Sequence, residues 1–119
     1  ANCTGTTSAA KTVTISACGN VPGCPGLQLY QTTSSNDGTA LRRNAHINCA
    51  NQGARLPTLA ELECMCANRL TLPGGWNSGH YWTGEQTASG TYYMVRFMND
   101  GCSIYGGTTT NYERYRCVL

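Results

Sequence analysis

Charge is scarce in this sequence of 119 residues. Lysine and arginine together number 8, aspartate and glutamate together number 6, and Lys11 is the single lysine. Two short arginine pairs, Arg42 with Arg43 and Arg114 with Arg116, are expected at a solvated surface, and no longer basic run exists. Binding to nucleic acid depends on clustered basic residues, so the sequence argues against a nucleic-acid partner.

Long apolar runs are also absent. A membrane-spanning helix needs ~20 consecutive apolar residues, and no stretch of this sequence approaches that length, so we expect no membrane span. The length fits one domain with a core of moderate size. Threonine, glycine, asparagine and serine are frequent, which suits a surface that faces an extracellular medium.

Cysteine, by contrast, is abundant. The sequence contains 8 cysteines, at positions 3, 18, 24, 49, 64, 66, 102 and 117. An even number in a short chain is typical of a disulfide framework formed outside the cytosol, so we expect a secreted or cell-surface protein. Zinc sites favour paired cysteines with two to four residues between them. Only Met65 separates Cys64 from Cys66, and His46 and His80 stand alone, which argues against zinc.

Two helices are predicted in the middle of the chain. Thr39 is placed to cap the first, which is expected over residues 40–52. The second is expected over residues 59–69. Thr58 and Glu61 have the spacing of a capping box at its start, in which each side chain accepts a hydrogen bond from the other residue's backbone N–H.

The flanking segments have the patterns of β-strands. Alternating β-branched residues predict a strand over residues 11–16. Further strands are predicted over residues 27–30, 81–83, 91–97, 102–105 and 115–119. The order of strands, two helices and an antiparallel meander predicts an α+β domain. In the strand 91–97 and just after it, Tyr92, Met94 and Met98 share a face that is not polar. We expect the N-terminal segment or an interface to cover that face.

Four segments carry a resemblance to a known family. They are residues 45–62 with Cys49 and Gly-Ala-Arg-Leu-Pro-Thr, Tyr-Trp-Thr-Gly at 81–84, Val-Arg-Phe at 95–97 with Asp-Gly at 100–101, and Tyr-Arg-Cys-Val at 115–118. In this order they resemble a C-type-lectin-like domain, and are most similar to the short bacterial lectin-like domains of collagen-like adhesins and of pilus and other surface proteins. The resemblance implies a C-type-lectin-like fold over residues 27–119, with an N-terminal β extension over residues 1–26.

The resemblance also implies one disulfide, between Cys49 of the first helix and Cys117 of the last strand. Cys102 is expected to reach the second helix, at Cys64 or at Cys66. These two point about 200° apart around a helix, so they should have different partners. If all eight cysteines are bonded, the remaining helix cysteine must pair with one of those outside the matched core, which are Cys3, Cys18 and Cys24.

Calcium and catalysis are not expected. Family members that bind sugar through calcium carry a Glu-Pro-Asn or Gln-Pro-Asp triplet in a long loop, and this sequence has no such triplet. Asn99, Asp100 and Gly101 are typical of a hairpin turn. We name no acid–base pair and no activated thiol, so we expect no enzyme, no metal and no cofactor.

The leading hypothesis is a surface-displayed domain for binding or adhesion, which recognises a glycan or a protein without a classical calcium site. Its predicted contact residues are Trp76, Glu85, Tyr92, Asn99, Asp100 and Tyr105. The alternative hypothesis is a structural subunit or tip of a pilus or another extracellular fibre. In that case the strand Thr12–Ile15 would add to the sheet edge of a neighbouring copy, so self-association is the second expected kind of partnership.

Overall fold

The computed structural model describes residues 3–6, 12–15, 19–107 and 111–119. Within them it contains helix α1 (Arg42–Asn51), helix α2 (Leu59–Ala67) and a short 3₁₀ helix at Arg69–Thr71. The strands are β1 (Cys3–Thr6), β2 (Thr12–Ile15), β3 (Gly19–Asn20), β4 (Gln28–Leu29), β5 (Thr39–Ala40), β6 (Gly79–Gln86), β7 (Tyr92–Met98), β8 (Gly101–Gly107) and β9 (Glu113–Arg114). The domain is α+β with two α-helices, as predicted.

Five strands form the main sheet, in the order β5-β9-β6-β7-β8. The neighbours β6–β7, β7–β8 and β5–β9 are antiparallel, and β9 runs parallel to β6. The sheet is therefore mixed, and the predicted antiparallel meander is confirmed for β6, β7 and β8. Two separate antiparallel pairs, β1–β2 and β3–β4, lie outside this sheet, and β2 confirms the predicted N-terminal strand.

The C-terminal strand is shorter than predicted. Residues 115–119 form no continuous strand, because their backbone groups pair with several different segments. The carbonyl of Tyr115 accepts from the N–H of Asp37, and the carbonyl of Cys117 accepts from the N–H of Tyr30. Val118 makes isolated bridges to β4 and to Arg55.

The two helices begin differently. Thr58 caps α2 as predicted: its Oγ1 accepts from the N–H of Glu61, and the Glu61 carboxylate accepts from the N–H of Thr58 at 2.9 Å. The predicted cap of α1 is wrong. Leu41 occupies the N-cap position with no side-chain hydrogen bond, because Thr39 lies in β5 and pairs with Arg114 of β9.

Apolar clusters cover both faces of the main sheet. On one face, α2 packs through Leu62 and Met65 against Tyr81, Val95 and Phe97. On the other face, Ala45 and Cys49 of α1 belong to a buried cluster with Leu56, Trp82 and Met94. Thus α1 contributes cover over Met94; the predicted cover by the N-terminal segment falls largely on side chains outside the described residues.

Within the described part of the chain, three disulfides join these layers. Cys49–Cys117 links α1 to the C-terminal segment, which confirms the pairing that the resemblance implies. The two cysteines of α2 have different partners, as predicted: Cys66 bonds Cys102 of β8, and Cys64 bonds Cys24. The predicted participation of Cys3 and Cys18 falls outside the part of the chain whose side chains the structure describes.

Arg116 is buried, so its predicted place at a solvated surface is wrong. It is 1% exposed, and its guanidinium donates to the carbonyls of Gln31 at 2.9 Å, Pro73 at 3.0 Å and Gly75 at 3.2 Å. Burial lowers the pKa of Arg116, and the Asp37 carboxylate opposes that shift. The guanidinium thereby ties the loop that follows β4 to the loop that precedes β6.

Candidate binding surface

The six residues predicted as ligand contacts lie in three separate places along the main sheet. Tyr92 begins β7, and Asn99 directly follows its end. At ~3.3 Å per residue the two are roughly 20 Å apart. The six residues therefore do not form one continuous site, and each group has its own surroundings.

Three of the six lie around Arg69, at the end of the sheet where β7 turns into β8. Asn99 and Asp100 form the exposed two-residue turn between these strands. The Arg69 guanidinium donates to the carbonyl of Asn99 at 3.2 Å and lies 5.5 Å from the ring centroid of Trp76. Trp76 also contacts the ring of Phe97. Arg69 thus links the turn to Trp76, which is itself packed on the core.

Two of the six are engaged in contacts within the domain. The Glu85 carboxylate accepts a hydrogen bond from the N–H of Leu59 at 2.8 Å, in the first turn of α2. The ring of Tyr92 lies 3.8 Å below the guanidinium carbon of Arg42. Burial lowers the pKa of Arg42, and its guanidinium also donates to the carbonyl of Gly84. Both predicted residues support the junction between the helices and β6.

Tyr105 stands apart from the other five, on the face of the sheet that α1 partly covers. Its ring meets the ring of His80 edge-on, with centroids 5.0 Å apart. Tyr105 belongs to β8 and His80 to β6, so the two side chains meet over the intervening strand β7. Tyr105 keeps 41% of its surface exposed.

The strand register places further polar side chains beside this ring pair. Arg96 of β7 lies opposite His80 on one side and opposite Ser103 on the other. Cross-strand partners point to the same face of a sheet, so all three share a face with Tyr105. We call His80, Arg96, Ser103, Tyr105 and Glu113 the sheet-face patch. Trp82 and Met94 lie on the same face but are buried, whereas Arg96 is exposed.

The sheet-face patch combines hydrogen-bond donors and acceptors. Arg96 donates only, Glu113 accepts when ionised, and Ser103 does both. His80 Nδ1 lies 3.8 Å from Glu113 Oε2, and the two side chains keep 28% and 21% of their surface exposed. The patch therefore offers an exposed aromatic ring flanked by groups of both hydrogen-bonding kinds.

Sequence reasoning identified Tyr105 but missed the rest of this patch. The sequence presents His80 only as an isolated histidine, and Arg96 only as one residue of the strand predicted over residues 91–97. The alternation of side chains along a strand, extended from Trp82 back to His80, puts both residues on the same face. This pattern could have placed His80 on the sheet from the sequence alone. Arg96 and Tyr105 join His80 in one patch only because β6, β7 and β8 pair in this register. No local sequence pattern specifies that pairing.

Metal sites and pockets are the other places where a ligand could bind. Across residues 19–107 and 111–119, no three His, Cys, Asp or Glu side chains come close enough to hold a metal ion. A shallow pocket of about 300 Å³ lies beside the Cys24–Cys64 disulfide, lined in part by Leu27, Ala60 and Glu61. Its charged group, Glu61, is already bonded to Arg55 and Thr58. The sheet-face patch therefore remains the better candidate site.

Comparisons with protein-family models, with curated proteins and with solved structures found no match for this chain. Within the described ranges, neither helix combines the length and the apolar composition that a membrane span requires.

Proposed function

We propose that this chain is an extracellular, surface-displayed binding domain of the C-type-lectin-like kind, and that its sheet-face patch binds a glycan without calcium. Three features support the lectin-like reading. The helix α1 is bonded to the C-terminal segment through Cys49 and Cys117, two helices pack on one mixed sheet, and the motifs at 81–84 and 95–101 fall on β6 and on the β7–β8 hairpin.

The glycan proposal depends on the ring pair formed by the half-buried His80 and the exposed Tyr105. A sugar ring carries hydroxyls that donate and accept hydrogen bonds, and its C–H groups form an apolar face. Tyrosine combines an apolar ring with a polar tip, which suits packing against such a surface. Arg96, Ser103 and Glu113 supply the directional hydrogen bonds that fix a ligand's orientation.

A binding role fits this patch better than catalysis. Ser103 and His80 lie on β8 and β6, with β7 between them. Their backbones are two strand spacings, about 10 Å, apart, and the His80 ring contacts Tyr105 and Glu113, whereas a nucleophile and its base must be within hydrogen-bond reach of each other. All the cysteines of the described part are disulfide-bonded, which removes them as thiol nucleophiles and supports an oxidising, extracellular location.

The test is a glycan array probed with the labelled full-length protein, followed by titration of the strongest glycan in solution. We expect binding that persists in EDTA. Tyr105→Ala and Arg96→Ala should each weaken it at least about tenfold, the loss expected for a central contact. The matched control is Tyr112→Ala, which removes a tyrosine that is 70% exposed and outside the patch.

Three outcomes would contradict the proposal. The first is an array with no binding in the presence or absence of calcium. The second is a bound glycan whose affinity is equal in Tyr105→Ala and Tyr112→Ala. The third is capture of a protein ligand by the same patch with no glycan bound, which would assign the patch to protein recognition instead.

The fibre-subunit alternative concerns a different part of the chain. β1 and β2 form a two-stranded sheet separate from the main one, so β2 has one edge occupied by β1. Deletion of residues 1–17 would abolish fibre assembly under this alternative while the core disulfides still form. A full-length chain that shows no fibres by negative-stain imaging would sink it.

A further inference from the structure

Among the strands that the structure describes, β8 is an open edge of the main sheet. It is seven residues long, pairs with β7 without interruption from Gly101 to Gly107, and ends the strand order. The opposite edge is β5, which has only two residues. An edge strand presents a row of backbone N–H and C=O groups that can pair with another strand.

The composition of β8 makes it receptive to pairing. Natural edges are commonly protected by lysine, proline, inward-pointing charge or a bulge. β8 has the sequence Gly-Cys-Ser-Ile-Tyr-Gly-Gly, with no charged residue and no proline. Ile104 keeps 49% of its surface exposed, and Tyr105 keeps 41%. The register irregularity of the meander lies between β6 and β7, not at β8.

We propose that β8 pairs with β8 of a second copy of this chain, antiparallel and about a two-fold axis, to form a dimer with one continuous sheet. A two-fold contact places the same residues on both sides, so a charged strand would repel itself. β8 carries no charge and avoids that cost. If all seven residues pair, Ile104 of one copy lies opposite Ile104 of the other, and Ser103 lies opposite Tyr105.

The dimer extends the glycan proposal, and its functional role rests on that proposal. Antiparallel pairing of two identical edges requires the two-fold axis to be perpendicular to the sheet, so both sheet-face patches point to the same side. Residues opposite each other share a face, which brings Tyr105 of one copy beside Ser103 of the other. The dimer thus presents two adjacent patches, and a ligand with repeated sugars could bind both at once. Such linked binding raises apparent affinity without any new contact.

The test is light scattering of the oxidised full-length protein over a series of concentrations. We expect a reversible monomer–dimer equilibrium. Ile104→Lys places like charges opposite each other and removes the apolar pair, so it should weaken the dimer at least about tenfold. The matched control is Leu70→Lys in the 3₁₀ helix, where the side chain is 89% exposed; it should leave the dimer unchanged.

A second variant tests the register and guards against a misfolded mutant. Ile104→Glu alone should also be monomeric, whereas an equal mixture of Ile104→Lys and Ile104→Glu should recover dimers, since opposite charges then face each other. A protein that is monomeric at all concentrations, or that assembles into open chains larger than a dimer, overturns the inference. So does a mixture that stays monomeric while both variants retain the native near-ultraviolet circular dichroism.

The two proposals fail in distinguishable ways. Monomeric Ile104→Lys should bind a single sugar unit with the affinity of the wild type and should lose only the gain for a repeated-sugar ligand immobilised on a surface. Loss of the dimer with no change in either measurement would leave glycan binding intact and refute the bivalent arrangement. Dimers that bind no glycan would refute the proposed function and leave the interface standing.

Discussion

Replacing Arg116 by methionine should be among the most destabilising single changes in this domain. The guanidinium donates to three loop carbonyls, those of Gln31, Pro73 and Gly75, from a position that is 1% exposed. Each carbonyl left without a donor costs about 1–3 kcal/mol. Methionine removes the cost of a buried charge, which offsets part of that sum. We therefore expect the free energy of unfolding to fall by about 3 kcal/mol, against the 5–15 kcal/mol typical of a domain.

The assay is urea denaturation at 25 °C without reductant, so that the disulfides stay intact. The matched control is Arg43→Met, which removes an exposed arginine from α1 and should stay within about 0.5 kcal/mol of the wild type. Arg116→Lys keeps the charge but has one nitrogen in place of a planar fork, so it should recover only part of the loss. Equal m-values across the series are needed for the comparison to hold.

The refuting result is a cost for Arg116→Met that matches the cost for Arg43→Met. Such a result would mean that the loops after β4 and before β6 hold their positions without the guanidinium. Hydrogen exchange separates the two cases further, because the reasoning predicts faster exchange at the N–H of Asp37, which donates to the carbonyl of Tyr115.

Three further predictions concern the stability of the fold. Thr58→Ala should cost about 1 kcal/mol in urea denaturation because it removes the α2 cap, whereas Thr39→Ala should cost less than about 0.5 kcal/mol; equal costs would contradict the capping assignment. Hydrogen bonding to Arg55 lowers the pKa of Glu61 below its ordinary value of 4.5. The ionised Glu61 side chain therefore contributes to the free energy of unfolding above pH 4.5, and this contribution is lost as the pH falls through the lowered pKa. The stability advantage of the wild type over Glu61→Gln should therefore shrink in acid, and an advantage that stays constant down to pH 2 would count against it. Replacing Cys49 and Cys117 together by alanine should cost about 4 kcal/mol, since their separation of 68 residues closes the longest of the three disulfide loops described; a smaller cost than for the pair Cys66 and Cys102, separated by 36 residues, would reverse the expected order.

Features set by neighbouring residues were predictable from the sequence. The capping box of Thr58 and Glu61 needs only its own helix turn, and the Asn99–Asp100 turn needs only two flanking strands. The different partners of Cys64 and Cys66 follow from the 100° step of a helix. The partner of Cys49 came from the family resemblance, because its distance along the chain leaves local reasoning without a choice.

Features set by distant pairing were not predictable. Thr39 has a good capping side chain, but the alignment of β5 with β9 takes its backbone into the sheet. Arg116 looks like any surface arginine until two loops bring their carbonyls around it. The sheet-face patch could not be predicted for the same reason, because His80, Arg96 and Tyr105 come together only when β6, β7 and β8 are paired in register.

Adding one carbon atom at Gly107, the last residue of β8, tests the register of β6, β7 and β8. A Cβ on Gly107 would lie 2.6 Å from Met94 Cε and 2.9 Å from Trp82 Cη2. The Met94 side chain is flexible and can move, but the indole of Trp82 is fully buried and its Nε1–H donates to the carbonyl of Ala40 at 3.0 Å.

Because Trp82 cannot move aside, Gly107→Ala should cost about 1–3 kcal/mol in urea denaturation, the range for overpacking a core. The neighbouring Gly106→Ala should cost less, because the nearest atom to its added Cβ is the Thr91 hydroxyl oxygen at 3.0 Å, which belongs to a small, half-buried side chain rather than to a fully buried ring. Gly106→Ala also serves as a control for the backbone effect. Both variants reduce the flexibility of β8 equally, but only the Cβ added at Gly107 contacts the indole of Trp82. If the two variants lower the free energy of unfolding equally, the destabilisation comes from a change in the backbone of β8. The contact with Trp82 would then not determine where the edge strand ends.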